Sequence, residues 1–421
     1  MSISFCANPY HKIGKNCLLI ILALASGCLS NRKEQNEASI PNSFFDIPFA
    51  EILKNKSEVN LSVVATDVEI IQFENTSEVY IGNIEDIAYT RDYYFVMCWD
   101  QPILQFSRTG KLIRKIGAIG KGPEEYLMCL KMCIDEENEK VYVHTTLSSI
   151  MVYTFEGQYI KTIKNPALDR TMNFWMWGRD SMFVSYFEPV LGNEPYVFIE
   201  HSEKGDTLQT IQNHIFFGVN EQADPFQMSP FEEQNFSYRF ENKLHLKGCY
   251  NDTVYTYDEN NKFVPKFFID LGKHKLLDDL IYERKWRRRL PDGLVWTGVH
   301  ETTNYVFVPY GYHYVPDKPE TERKEKGMVL YNKKTKEGLA IKESKQGGFI
   351  DDISGDPDFR PILANDSSAI MLVSALEMKQ HLNTDAFRNR EVKQPANKQR
   401  LNQLKNTINE ADNHFLVLVK F

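Results

Sequence analysis

Two stretches of the chain repeat one arrangement of apolar and polar positions. Ile87 to Ile116 reads IAYTRDYYFVMCWDQPILQFSRTGKLIRKI, and Met132 to Ile163 reads MCIDEENEKVYVHTTLSSIMVYTFEGQYIKTI. Each holds a short strand, a polar turn, a strand rich in β-branched and aromatic residues, a second turn, and a strand that enters a hairpin. The hairpins, Arg108-Thr109-Gly110 and Phe155-Glu156-Gly157, lead into the alternating strands LIRKI and YIKTI. Gly110 and Gly157 are 47 residues apart. Diverged copies follow. Phe174 to Ile211 carries Gly205 at the hairpin position, Phe236 to Leu271 carries Asn260-Asn261 there, and residues 303–341 contain NYVFVPY and MVLYNKKTKEGLAI. A last copy is split: AIMLVS (369–374), a long polar helical stretch, then FLVLVKF (415–421).

Period-2 strands without βαβ spacing predict an all-β chain, and about six units of ~40–50 residues predict the blades of a propeller rather than a β-sandwich or solenoid. The terminal FLVLVKF would be an unprotected edge if left alone. Its expected partner is the early strand Leu61 to Ile71, so that the two ends of the chain close the ring. A short amphipathic helix is expected where Leu276, Leu277, Leu280 and Ile281 recur at helical spacing. The expected organisation is a leader over 1–27, a modified cysteine and tether over 28–58, and one propeller over 59–421.

The leader is read from the start of the chain. Lys12 and Lys15 precede the apolar run CLLIILALA (17–25), too short to span a bilayer as a mature helix but suited to a signal peptide. Ala25-Ser26-Gly27-Cys28 resembles a bacterial lipobox, which implies cleavage before Cys28 and acylation of Cys28. Each buried CH₂ contributes ~0.8 kcal/mol, so a multiply acylated cysteine anchors stably. Leu29, rather than Asp, follows Cys28, which favours an outer-membrane lipoprotein. Arg32 and Lys33 early in the polar tether tilt the reading towards the periplasmic face.

The segment GAIGKGPEEYLMCLKMCID (Gly117 to Asp135) resembles the inter-blade signature of the six-bladed, NHL-like β-propeller lipoproteins of Gram-negative bacteria. In that signature a strand ends at Gly, a Gly-rich loop and an aromatic follow, and the next blade's first strand ends in Asp. Gly117, Gly120-Lys121-Gly122-Pro123, Tyr126 and Asp135 stand at those places. DTVYTYDENNKFVPKFFIDLGKHKL, GGFIDDISGDPDFRP and the terminal NHFLVLVKF resemble the same family. The resemblance implies fold and location, and little chemistry.

Charge then narrows the partners. The whole chain carries −8, and loss of Lys12 and Lys15 with the leader makes the mature chain −10. An acidic exported protein is a poor nucleic-acid binder. The mature chain keeps Cys98, Cys129, Cys133 and Cys249 without a CxxC spacing, so packed free thiols are expected. The high aromatic content (27 Phe, 21 Tyr, 5 Trp) suits β structure.

Four groups of residues are candidates for a site. In the Gly-rich crossover, Glu124, Glu125 and Tyr126 are placed to face a ligand, although the loop lacks the spacing of a phosphate-binding motif. Trp99, with Trp175, Trp177 and Trp296, is a candidate sugar platform. Trp286, Arg287 and Arg288 form a basic end that suits an anionic group. Asp351, Asp352 and Asp356 surround a glycine-bearing turn that suits Ca²⁺, though without EF-hand spacing. No HExxH or GxSxG motif occurs, and the histidines do not cluster. The reading is a non-catalytic envelope lipoprotein binding a glycan, peptide or protein. Its alternatives are a metal-dependent propeller lyase or hydrolase, and a structural accessory of an envelope complex.

Overall fold

The computed structural model describes residues 44–421, apart from 77–78, 146–148, 165–181, 188–193, 215, 217–234, 249–250, 276–293, 313–325 and 345–346. Cys28, Trp175, Trp177, Cys249, Trp286, Arg287 and Arg288 lie outside the described residues, as does the expected amphipathic helix.

Six sheets follow one another in chain order. Blade 1 is β4 (Asp86–Tyr89), β5 (Tyr93–Met97), β6 (Ile103–Ser107) and β7 (Leu112–Ile116). Blade 2 is β8 (Cys129–Asp135), β9 (Lys140–Thr145), β10 (Ser149–Thr154) and β11 (Tyr159–Lys164). Blade 3 shows β12 (Met182–Tyr186), β13 (Tyr196–Ser202) and β14 (Thr207–Gln212). Blade 4 is β15 (Phe236–Phe240), β16 (Lys243–Lys247), β17 (Thr253–Tyr257) and β18 (Phe263–Ile269). Blade 5 is β19 (Leu294–Trp296) and β20 (His300–Glu301), both on β21 (Tyr305–Tyr312), then β22 (Lys326–Asn332) and β23 (Gly338–Ser344). Blade 6 is β24 (Leu363–Ala364), β25 (Ser368–Val373), β26 (Phe415–Lys420) and the early strand β3 (Asp67–Gln72).

Blade 6 closes the ring. Leu416 sits opposite Ile71, and Leu418 opposite Glu69, in an antiparallel register. The expected early strand is shorter than its apolar run. Leu61–Val63 is a 3₁₀ turn, and pairing starts only at Asp67. The reason is packing: Leu61, Val64 and Ala65 are buried between blades 5 and 6 instead of joining a ladder.

The expected tether also ends earlier than residue 58. β1 (Phe45–Ile47) adds to β18 in parallel, and β2 (Lys56–Ser57) adds to β23 in parallel. Between them, Phe49–Ile52 forms one helical turn. Ile47, Phe49 and Leu53 join the core between blades 4 and 5. Burying an aliphatic or aromatic side chain contributes roughly 1.5–3 kcal/mol, so this segment is held as part of the ring.

Alternation explains the core. In β5, Tyr94 and Val96 pack towards blade 6, whereas Phe95 and Met97 pack towards blade 2. Both faces of a central strand are covered by neighbouring blades, so such strands read as continuous apolar runs. The outer strand β7 has solvent beyond it and alternates, with Ile113 and Lys115 exposed. The hairpins before the outer strands share one construction. Gly110, Gly157 and Gly205 have φ of 82°, 82° and 91°, and Asn261 has 56°. Each donates its N–H to the carbonyl three residues earlier, on Ser107, Thr154, Ser202 and Asp258. Those four side chains in turn accept backbone N–H groups within the turn.

The polar stretch before β26 is helical, over Ala375–Leu382, Asp385–Asn389 and Pro395–Leu404. Ser374 and Glu377 form a reciprocal capping box that starts it. Met378, Leu382, Phe387 and Leu401 are buried against the blade 5–6 core. Cys98, Cys129 and Cys133 are buried, and no disulfide links them.

Candidate binding face

Successive strands of a blade run in opposite directions, so connections leave alternately from two ends of the ring. First-to-second and third-to-fourth hairpins leave from one, the turn end. Second-to-third loops and blade-to-blade crossovers leave from the other, the crossover end. The helical insert, the Gly-rich loop, Trp99 and the Asp-rich loop all belong to the crossover end.

Exposed large apolar side chains divide unevenly between the ends. Tyr80, Trp99, Ile119, Leu127, Phe216, Ile362 and Leu376 lie in crossover-end connections. Among the described residues, the tight turns of the opposite end expose none of this kind. Trp99 is 51% exposed and Tyr80 66%. The two loops are joined, because Gln101 Nε2 donates to the Tyr80 carbonyl at 2.9 Å. Beside them is a depression of about 400 Å³ lined by Asn83, Glu85, Leu372, Ser374, Glu377 and His414. Burial lowers the pKa of His414.

The Gly-rich loop is built around its own residues. Glu124 and Glu125 are exposed. Glu125 folds back to accept the Gly122 N–H at 2.8 Å, and a Cβ on Gly120 would collide with its carboxylate. Glycine at 120 therefore permits this close approach. Tyr126 is not available to a ligand. It is 2% exposed, donates its hydroxyl to Ile116 O at 2.7 Å, and accepts Ile103 N–H at 3.0 Å. Its ring is a pin between blades 1 and 2. Trp296 is likewise buried, with Lys247 Nζ 4.6 Å from its ring centre.

The acidic loop brings two of its three candidate ligands together. Asp351 Oδ1 accepts Ile353 and Ser354 N–H, and its Oδ2 accepts Asp356 N–H at 3.0 Å. Ser354 Oγ contacts Asp351 Oδ2 and lies 2.7 Å from Asp356 Oδ2. Burial, with the neighbouring Asp351 charge, pushes Asp356 up to about 8. Asp352 points elsewhere, to Ser62 N at 2.9 Å. The chain's own donors thus occupy most of the oxygens a calcium ion would need. Among the described residues no three His, Cys, Asp or Glu side chains converge as a metal site requires.

A second buried carboxylate lies between blades 4 and 5. Glu301 accepts from Lys333 Nζ at 2.8 Å and from Tyr238 Oη at 3.0 Å, with Lys266 Nζ at 3.7 Å. His245 is 3.8 Å away, and burial plus the lysines lower its pKa to about 3. Sequence spacing gave no sign of this group, since its members come from five strands and turns of two blades.

Six sheets joined in a closed series by five cores define a six-bladed β-propeller. A protein of Bacteroides fragilis described as exported shares this fold at 15% identity and TM-score 0.61, over 89% of this chain and 99% of that one. The WD40 repeats of RRP9 match at 10% identity and TM-score 0.39, over 87% and 100% of the two chains. The WD40 propeller domain of Doa1 matches at 14% identity and TM-score 0.29, over 54% and 60%. No curated protein matches the sequence. The chain belongs to the DUF4934 family, a domain of unknown function, which it matches over residues 44–420.

Proposed function

We propose that this protein is a lipid-anchored envelope protein whose propeller binds a partner, without chemistry, at its crossover end. The observation that carries the binding role is that, among the described residues, exposed aromatics and aliphatics stand in crossover-end connections and not in the tight turns of the opposite end. Exposed apolar side chains on otherwise tight scaffolds mark interaction sites. Support for the anchor comes from the lipobox-like Ala25-Ser26-Gly27-Cys28 and from the polar sequence that follows it. The outer membrane, periplasmic face, is the location this reading favours. The NHL-like resemblance of Gly117 to Asp135 supports the same assignment.

A photo-crosslinking residue placed at position 99 tests the binding face, with position 204 in a turn-end hairpin as its control. In intact cells, adducts are expected from 99 and not from 204. Equal adducts from both positions, or none from 99, would defeat the reading. Palmitate labelling tests the anchor: it should disappear in Cys28→Ala, and equal labelling of both forms would exclude acylation at Cys28.

A further inference from the structure

Among the described residues, six of the seven exposed apolar side chains of the crossover end lie along one arc of the ring, and Phe216, between blades 3 and 4, lies outside it. Ile362 and Leu376 belong to blade 6, Tyr80 to the crossover from blade 6 to blade 1, Trp99 to blade 1, and Ile119 and Leu127 to the crossover into blade 2. The arc is continuous through hydrogen bonds. Glu85 N–H donates to Met97 O, and Gln101 donates to Tyr80 O, so the depression adjoins the Trp99 loop. Tyr126 ties Ile103, just past that loop, to the next crossover.

Two features distinguish among occupants. The exposed side chains stand apart along three blades, which suits an extended chain better than one small molecule. Four of the six are aliphatic, which suits apolar side chains better than sugar faces. Charge then sets the sign. In the connections flanking blade 1, Glu85, Asp100, Glu124 and Glu125 are exposed, with Glu377 on the far side of the depression. Lys121 is the single exposed cation of those connections among the described residues. Lys379, on the Glu377 helix, is held by Glu410 at 3.2 Å. On the blade 1 side of the arc a surface of this sign attracts cations and rejects anions, whereas the blade 6 insert also exposes Arg388, Lys393 and Arg400.

We propose that the arc from blade 6 to blade 2 receives a cationic, extended protein segment. Its aliphatic or aromatic side chains seat around Trp99 and Tyr80, and its lysines or arginines meet Glu85, Asp100 and Glu124. This rests on the crossover-end reading above and names the partner class.

The test is selection of a displayed library of random twelve-residue peptides on the full-length protein in detergent. The enriched pool is expected to carry net positive charge with aliphatic or aromatic residues. It should lose on the order of tenfold in affinity between 50 and 300 mM salt, and similarly on Glu85→Gln/Asp100→Asn/Glu124→Gln. These residues are exposed, so an unchanged melting temperature shows that the variant is folded. A neutral or acidic pool, no enriched pool, or undiminished binding to the neutralised variant would overturn the cationic assignment. The face itself is read separately with Tyr80→Ala/Trp99→Ala. A neutral pool lost by that variant overturns only the partner's charge. A pool retained by it overturns the binding face as well.

Discussion

Two buried carboxylate groups lie one inter-blade seam apart and solve the same problem in opposite ways. Between blades 4 and 5, Glu301 is surrounded by cations and a hydroxyl donor. In the blade 5–6 crossover, Asp356 has another carboxylate nearby, and Ser354 has only one hydroxyl proton to share between them. Asp356 Oδ1 is buried without a hydrogen-bond partner. Asp356 therefore favours a retained proton, whereas Glu301 has counter-charges around it. Burial costs a charged group several kcal/mol in either place, so the neighbours decide its state.

Glu301→Gln tests that contrast most strongly. It leaves Lys333 and Lys266 buried without their counter-charge, and should cost about 3–5 kcal/mol in urea unfolding. A loss below ~1 kcal/mol would show that the lysines escape to water. Asp356→Asn should act in the opposite direction. The folded chain holds the Asp356 proton up to about pH 8, far above the ordinary carboxylate range. Its stability contribution is therefore fully present below pH 4 and is lost as pH rises through 8. The asparagine variant should be more stable than wild type above pH 8, by about 1–3 kcal/mol, with a flatter profile between pH 4 and 8. A wild-type profile that rises over that range, with Asn at 356 abolishing the rise, would reverse the assignment.

Tyr126→Phe removes a hydroxyl that serves both Ile116 and Ile103. It should cost about 1–3 kcal/mol, because the Ile103 N–H is left buried. Calorimetry would check it, and an unchanged melting temperature would mean that the seam re-pairs its backbone. Trp99→Ala should change stability by no more than ~0.5 kcal/mol, since the ring lies half in solvent. Melting well below wild type would place Trp99 in the structural frame rather than on the binding face.

The repeats themselves carried most of the architecture. Gly110, Gly157, Gly205 and Asn261 stand in equivalent hairpins because the turn needs a residue at positive φ at that place. An oxygen-bearing side chain three residues earlier, as at Ser107 or Asp258, is a local signal that would have aligned the weaker copies. The candidate site was visible only in part. Trp99, Glu124 and Glu125 do lie at the crossover end, while Tyr126 became a buried pin. An aromatic after a Gly-rich loop reads the same whether its hydroxyl meets a ligand or two strands.

Local pattern, then, determined the strands, their hairpins and the number of blades, since strand periodicity and turn chemistry act over a few residues. Chain folding decided the rest. β3 and β26 meet across almost the whole chain, residues 45–57 join blades 4 and 5 rather than forming a tether, and Glu301 finds lysines from two blades. Those outcomes depend on which surfaces become neighbours when the ring closes. Hydrophobic burial and charge pairing are indifferent to sequence distance, so no spacing along the chain records them.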